Sequence, residues 1–248
     1  MLVPAFLTPT APENAGRHNA ALDESRGRII RGATWKRQRV VVVLPTAEAV
    51  PTVCAMAFWN LTFPPNQQAY RMAAVGCEVG EAYSMAVDQI LAHPELSTWE
   101  YLLTLEHDNT PPQDGLLKLI ARMDAHPEFA CIGGLYWTKG EAGVPQIWGD
   151  PRDPVPNFRP QAPPPDDAPY EAKLVECCGT GMGFNLWRLS MFKDPALRRP
   201  WFKTIAGAEG VGTQDLYAWT DFRKAGYRCA IDCDVKVGHL DMATGIIW

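Results

Sequence analysis

Three absences narrow the field before any motif is read. No apolar run approaches the length of a membrane span. Residues 1–10 show neither the basic start nor the long apolar stretch of a secretory signal. Positive charge is not in excess either: the formal net charge is −5, and a general polyanion binder needs clustered Lys and Arg. One local exception, Arg26, Arg28, Arg31, Lys36, Arg37 and Arg39, reads as a solvated edge ahead of the first strand, or more sharply as a contact for an anionic acceptor. No CxxC pair occurs among the seven cysteines, which argues against a structural zinc site. Cys54, Cys131 and Cys229 lie in apolar stretches, where a free cysteine behaves as a small buried hydrophobe. A soluble, cytoplasmic protein is the expectation. No internal repeat is visible.

What remains is an ordinary globular composition, 47% apolar and 21% charged over 248 residues. Residues 1–38 carry no clear period and read as an N-terminal arm. The run Val40-Val41-Val42-Val43-Leu44 predicts a strand buried on both faces, as in a parallel sheet. Pro51 suits the first turn of a helix running to about Leu61, stopped by Pro64-Pro65. A strand over 69–75 and an amphipathic helix over 79–92 follow. Then come a strand at 101–105, a helix start at Thr110-Pro111-Pro112 with an apolar face of Leu116, Leu117, Ile120 and Met123, and a strand at 129–135. This β-α-β-α-β-α-β order predicts a Rossmann-like, mostly parallel sheet with helices on both faces.

The second half is less regular. Eight prolines fall between Gly149 and Tyr170, predicting a long irregular loop. A strand is expected over 173–178, a short helix over 186–192, a helix from the N-cap Thr213 to Gly226, and a strand over 227–231. The expected organisation is one domain over 39–248, with a nucleotide-binding half at 39–135 and an acceptor half at 136–248.

Ligands of open parallel sheets sit at the carboxyl ends of the strands. Glu106 and Asp108 stand at such an end, on the same side. Hard divalent cations such as Mg2+ or Mn2+ are commonly held by one or two carboxylates plus substrate phosphates. An acidic pair is also what an ordinary strand-end turn contains, with Asp108 and Asn109 bonding the local backbone. Asp215, in the first turn of a helix, reads equally as a dipole-stabilising charge or as a general base. His239, beyond the last strand and beside Gly238, is placed where a ligand could approach.

The stretches VVVVLPT (40–46), YLLTLEHDNTPPQDGLLKL (101–119), CIGGLYWTKG (131–140), ECCGTGMGFNLWR (176–188), WF (201–202) and GTQDLYAWTDFRKAGYRCAIDCDVKVGHL (212–240) occur in an order that resembles the GT-A glycosyltransferases, near the family-two type of bacteria and phage. The resemblance spans roughly 40–242. It implies a metal-dependent hexosyl- or pentosyltransferase of a bacterial or phage-infected cytoplasm, acting on a nucleotide-diphosphate sugar with Mn2+ or Mg2+. Glu106-His107-Asp108 then stands for the DxD motif, with Asp108 as a metal ligand, Glu106 replacing the first Asp, and His239 completing the metal site. Pro45, Thr46 and Glu48, with Glu106 and His107, would grip the donor. Asp215 would be the base of an inverting transfer, although its usual acidic neighbour is here Gln214. Trp137, Gly179, Thr180 and Gly181 would lie beside the acceptor, a saccharide or modified DNA. Trp137, Trp148 and Trp201 are candidates for stacking on sugars or, as readily, for core or lid packing. Two other classes share parts of this pattern. A sugar-nucleotide pyrophosphorylase needs a Gly-rich basic loop after the first strand, which LPTAEAV at 44–50 lacks. A catalytically weakened nucleotide-sugar binding protein would fit Gln214 and Glu106.

Overall fold

The computed structural model describes residues 37–248 apart from 66, 208 and 209. All but the last two positions of the N-terminal arm, and most of the basic stretch, therefore lie outside the described residues. The strands are β1 (Val40–Thr46), β2 (Ala69–Val75), β3 (Tyr101–Leu105), β4 (Asn109–Thr110), β5 (Phe129–Leu135), β6 (Ile147–Trp148), β7 (Leu174–Cys177), β8 (Gly179–Thr180), β9 (Phe184–Arg188), β10 (Ile205–Gly207), β11 (Gly210–Gly212), β12 (Arg228–Lys236) and β13 (Gly238–His239). The helices are α1 (Thr52–Asn60), α2 (Val79–Ala92), α3 (Gly115–Ala125) and α4 (Gln214–Lys224).

Seven strands form the central sheet in the order β2-β1-β3-β9-β5-β12-β7. β2, β1, β3, β5 and β12 share one direction, while β9 and β7 run against their neighbours. The four-valine run of β1 is buried because strands flank it on both sides and helices cover both faces. Alternate residues serve different cores. Val41 and Val43 join α2 (Tyr83, Ala86, Val87, Ile90) and α4 (Ala218, Trp219, Phe222) on one face. Val40 and Val42 join α3 (Leu116, Leu119, Ile120, Met123) on the other, where α1 contributes Phe58. The first face holds an aromatic cluster in which Trp187 stacks on Trp219 at 5.3 Å and Phe222 meets Trp219 edge-on at 5.5 Å.

Local chemistry sets the helix ends. The Glu78 carboxylate caps α2 by accepting from the Gly80 and Glu81 amides at 2.9 and 3.1 Å, and the Thr204 hydroxyl donates to its other oxygen at 2.6 Å. α4 stops before Gly226, whose φ of +87° favours glycine.

Four expectations need correction. Residues 186–192 are not a helix: Phe184–Arg188 is β9, inserted antiparallel between β3 and β5, and Leu189–Lys193 is a 3-10 turn. Every residue from Phe184 to Trp187 is buried, so the strand lacks the polar alternation that would have marked it. Thr110 does not start a helix, because it belongs to β4, and α3 begins five residues later at Gly115. Leu119, not Leu117, lies with Leu116, Ile120 and Met123 among the buried residues of α3. The last sheet strand also runs on to Lys236, beyond the expected Ile231.

The Pro-rich segment 149–170 is irregular, yet it is tied down. The Gly149 amide donates to Arg159 O at 2.7 Å, and the Gln161 amide group reaches Gly149 O at 2.7 Å and Glu176 O at 3.2 Å. Its far end is held by Arg122, fully buried, which donates to Tyr170 O at 2.6 Å, stacks over the Tyr170 ring and pairs with buried Asp232 at 3.0 Å. No helix among the described residues is long and apolar enough to cross a membrane.

Candidate functional site

β1, β2 and β3 end at one edge of the sheet, and the chain after each ending builds one wall of a cleft. A cavity of about 310 Å³ is lined by Pro45, Thr46 and Ala47 after β1, Cys77 and Val79 after β2, and Glu106, His107 and Asp108 after β3. An adjoining hollow shares Ala47, Cys77 and His107 and adds Glu48, Glu78 and Met242. The sequence-predicted donor residues Pro45, Thr46, Glu48, Glu106 and His107 therefore lie together. The Thr46 hydroxyl donates to Ala49 O at 3.0 Å and closes the turn that presents them. A larger cavity, about 660 Å³, lies between α1 and β1–β2, but it is lined by Val42, Leu44, Phe58 and other apolar groups with Arg71, and holds no carboxylate or histidine.

A short ribbon carries His239 to Asp108. β13 pairs antiparallel with β4, opposing His239 to Asn109, and the Leu240 amide donates to Asp108 O at 2.8 Å. His239 Nε2 lies 3.5 Å from Asp108 Oδ2. Its Nδ1 stands 2.7 Å from Trp137 O. A carbonyl only accepts, so Nδ1 carries a proton, and in the neutral ring the bare Nε2 lone pair is aimed at a carboxylate. That pairing is repulsive unless a positive charge sits between the two or on the ring.

An unexpected residue also brings a positive charge to Asp108. Lys139 Nζ contacts Asp108 Oδ2 at 2.6 Å. It sits on a turn after β5 closed by Thr138 N to Val144 O at 2.9 Å and Val144 N to Thr138 Oγ1 at 2.8 Å. Although burial pushes the Asp108 carboxyl upward, its contacts with His239 and Lys139 and the lysine charge outweigh it and hold the group well below the usual carboxylate range. Among the described residues, no group of three His, Cys, Asp or Glu side chains is arranged to hold a metal ion.

Glu106 behaves in the opposite way. Burial, then the negative charges of Asp108 and Asp215, push its carboxyl up to about 8, against the pull of Lys139. Asp215, buried in the first turn of α4, is likewise raised by burial, in spite of hydrogen bonds including Leu216 N to Oδ1 at 2.9 Å. The charges of Asp108 and Asp215 thus both act on Glu106. Two buried phenols respond to the same acids: both Tyr83 and Tyr136 are raised by burial first and then by Glu106. The Tyr136 hydroxyl accepts from the Gly183 amide at 2.9 Å, whereas the Tyr83 hydroxyl has no hydrogen-bond partner among the described residues.

The remaining candidates fall elsewhere. Trp137 is half-buried against the core and acts on the site through its carbonyl. Thr180 is fully buried, its hydroxyl accepting from Asn185 Nδ2 at 3.1 Å and Trp219 Nε1 at 3.3 Å. Gly179 packs tightly under Phe158 and Trp219, and Gly181 lies under Tyr136 and Gln146 with no room for a Cβ. Trp201 is core, meeting Phe192 edge-on at 5.8 Å, and Trp148 Nε1 donates to Gln146 at 3.0 Å. Lys139 and Tyr136 escaped the sequence reading. The available signal was their place directly after β5, at the ligand-binding edge.

The seven-stranded, mostly parallel sheet with helices on both faces is a GT-A-like α/β architecture. Among solved structures, A197 from STIV is similar at a TM-score of 0.58 and 16% identity, over 82% of this chain and 86% of that one. TarS (residues 1–349) from S. aureus gives a TM-score of 0.43 at 12% identity, over 81% of this chain and 59% of that one. No protein-family model matches the chain, and no curated protein does.

Proposed function

We propose that the chain is a metal-dependent glycosyltransferase that moves a sugar from a nucleotide-diphosphate sugar to an acceptor hydroxyl with inversion. The observation that carries this reading is the Asp108–His239 pair at the mouth of the 310 Å³ cavity, with the histidine proton held on Nδ1 by Trp137 O. A metal ligand histidine commonly has its second nitrogen fixed in this way. Two protein donors plus diphosphate oxygens suit Mg2+ or Mn2+, which would be held by Asp108 and His239 and would supply charge neutralisation at the leaving group.

In this account, the walls at Pro45, Thr46, Glu48 and His107 bind the donor's nucleoside. Glu106, with its raised carboxyl, serves the donor side as a neutral hydrogen-bond donor near pH 7. Asp215 takes the acceptor's proton, and its own raised carboxyl makes it a stronger base than a solvated aspartate. One in-line attack on the anomeric carbon inverts its configuration.

A donor-binding protein without transfer chemistry is the second reading, favoured by Gln214 in place of an acid and by Lys139 closed on Asp108. Incubation with Mn2+ and a panel of UDP-, GDP- and TDP-sugars, followed by assay of nucleotide release, separates them. Release by the wild type that Asp108→Asn abolishes supports the transferase. Donor binding without release supports the second reading. Transfer that survives Asp215→Asn removes Asp215 as the base.

A further inference from the structure

Lys139 has no part in the transferase reading, yet it contacts Asp108 in the site. Its ammonium lies 2.6 Å from Asp108 Oδ2, the oxygen that His239 Nε2 also faces at 3.5 Å. The Lys139 side chain is 33% exposed and that of Asp108 is 12% exposed, so the lysine reaches the carboxylate from the open side. Its backbone is anchored by the 138–144 turn, while its four-carbon stem leaves the head free to move. The same charge also acts on Glu106, which lines the cavity beside Asp108.

Two charge arguments follow. An anionic diphosphate entering a pocket walled by Glu106 and Asp108, with the Asp215 charge acting on Glu106, needs more positive charge than one cation supplies. A divalent cation at Asp108 Oδ2 also cannot share that oxygen with an ammonium at 2.6 Å, because like charges that close repel strongly at low dielectric. The lysine head must then leave the carboxylate, and within its reach the partner of matching charge is the ligand's phosphate.

We propose that Lys139 is a diphosphate-binding residue of the donor site. It neutralises Asp108 in the empty cleft and transfers its ammonium to the donor's phosphate oxygens when the cleft fills. This rests on the glycosyltransferase reading and adds to it a second positive group, supplied by the chain itself.

The test compares the wild type with Lys139→Met and Lys139→Arg in calorimetric titrations of UDP, GDP and TDP, with Mn2+ or with EDTA, and of Mn2+ alone. Melting temperatures check that each variant is folded. For whichever diphosphate the wild type binds, Lys139→Met weakens affinity by about 10- to 100-fold, the scale of one lost charge-assisted hydrogen bond. Lys139→Arg keeps most of the affinity, and the matching nucleoside monophosphate loses less. Mn2+ alone binds Lys139→Met more tightly than the wild type, since its competitor for Asp108 is gone. Equal diphosphate affinity in the wild type and Lys139→Met, or weaker Mn2+ binding in Lys139→Met, overturns the role of Lys139 and leaves the transferase reading standing. A wild type that binds none of the three diphosphates under either condition overturns the transferase reading, and the donor role of Lys139 with it.

Discussion

Asp108 and Glu106 are two residues apart, and their environments drive them in opposite directions. Burial opposes ionisation in both. Asp108 faces Lys139 and His239 and stays charged, whereas Glu106 meets chiefly the negative charges of Asp108 and Asp215 and is pushed up to about 8. The consequence for stability has a definite sign. Between the ordinary glutamate value of 4.5 and about 8, folded Glu106 holds a proton that the unfolded chain has released. Folding therefore weakens as pH rises through that window. Glu106→Gln has no proton to lose. In EDTA, its melting temperature should gain on that of the wild type as pH goes from 5 to 8. Parallel melting curves across that range would show that Glu106 is not perturbed.

At the scale of elements, the site depends on short pieces more than on long ones. The four-residue pairing of β4 with β13 brings His239 to Asp108, and one turn after β5 brings Lys139. The long elements were legible in the sequence: β1 from its valines, α2 from its apolar spacing, β3 and β5 from runs bounded by turn residues. β9 was not, because a strand buried on both faces in mid-sheet has no polar alternation to distinguish it from a buried helical turn. Asp108 could be picked out by its place at a strand end. Its partnership with Lys139 could not, because it depends on β5 and β3 ending at the same edge with β9 between them. Arg122 shows how an element far from the cleft is held. It joins α3 to β12 through Asp232 and to the end of the Pro-rich segment through Tyr170. Arg122→Leu strands the fully buried Asp232 carboxylate. It should cost about 3–5 kcal/mol in chemical denaturation, the range for breaking one side of a buried pair. A loss below about 1 kcal/mol would mean that Asp232 finds other compensation.

For the molecule as a whole, the sheet acts as a frame with a core on each face, and its carboxyl edge gathers acids that would repel one another in isolation. In the proposed account the positive charge that offsets them comes from Lys139 in the empty cleft and, with the donor bound, from a cation that Asp108 and His239 would hold. This is the central claim, and metal linkage tests it most directly. The affinity of the wild type for the nucleoside diphosphate it binds should be measured by titration with Mn2+ and with EDTA, alongside Asp108→Asn. The account predicts that Mn2+ tightens binding by tenfold or more in the wild type (about 1.4 kcal/mol) and has little effect in Asp108→Asn. Wild-type affinity that is the same with and without Mn2+ would contradict it.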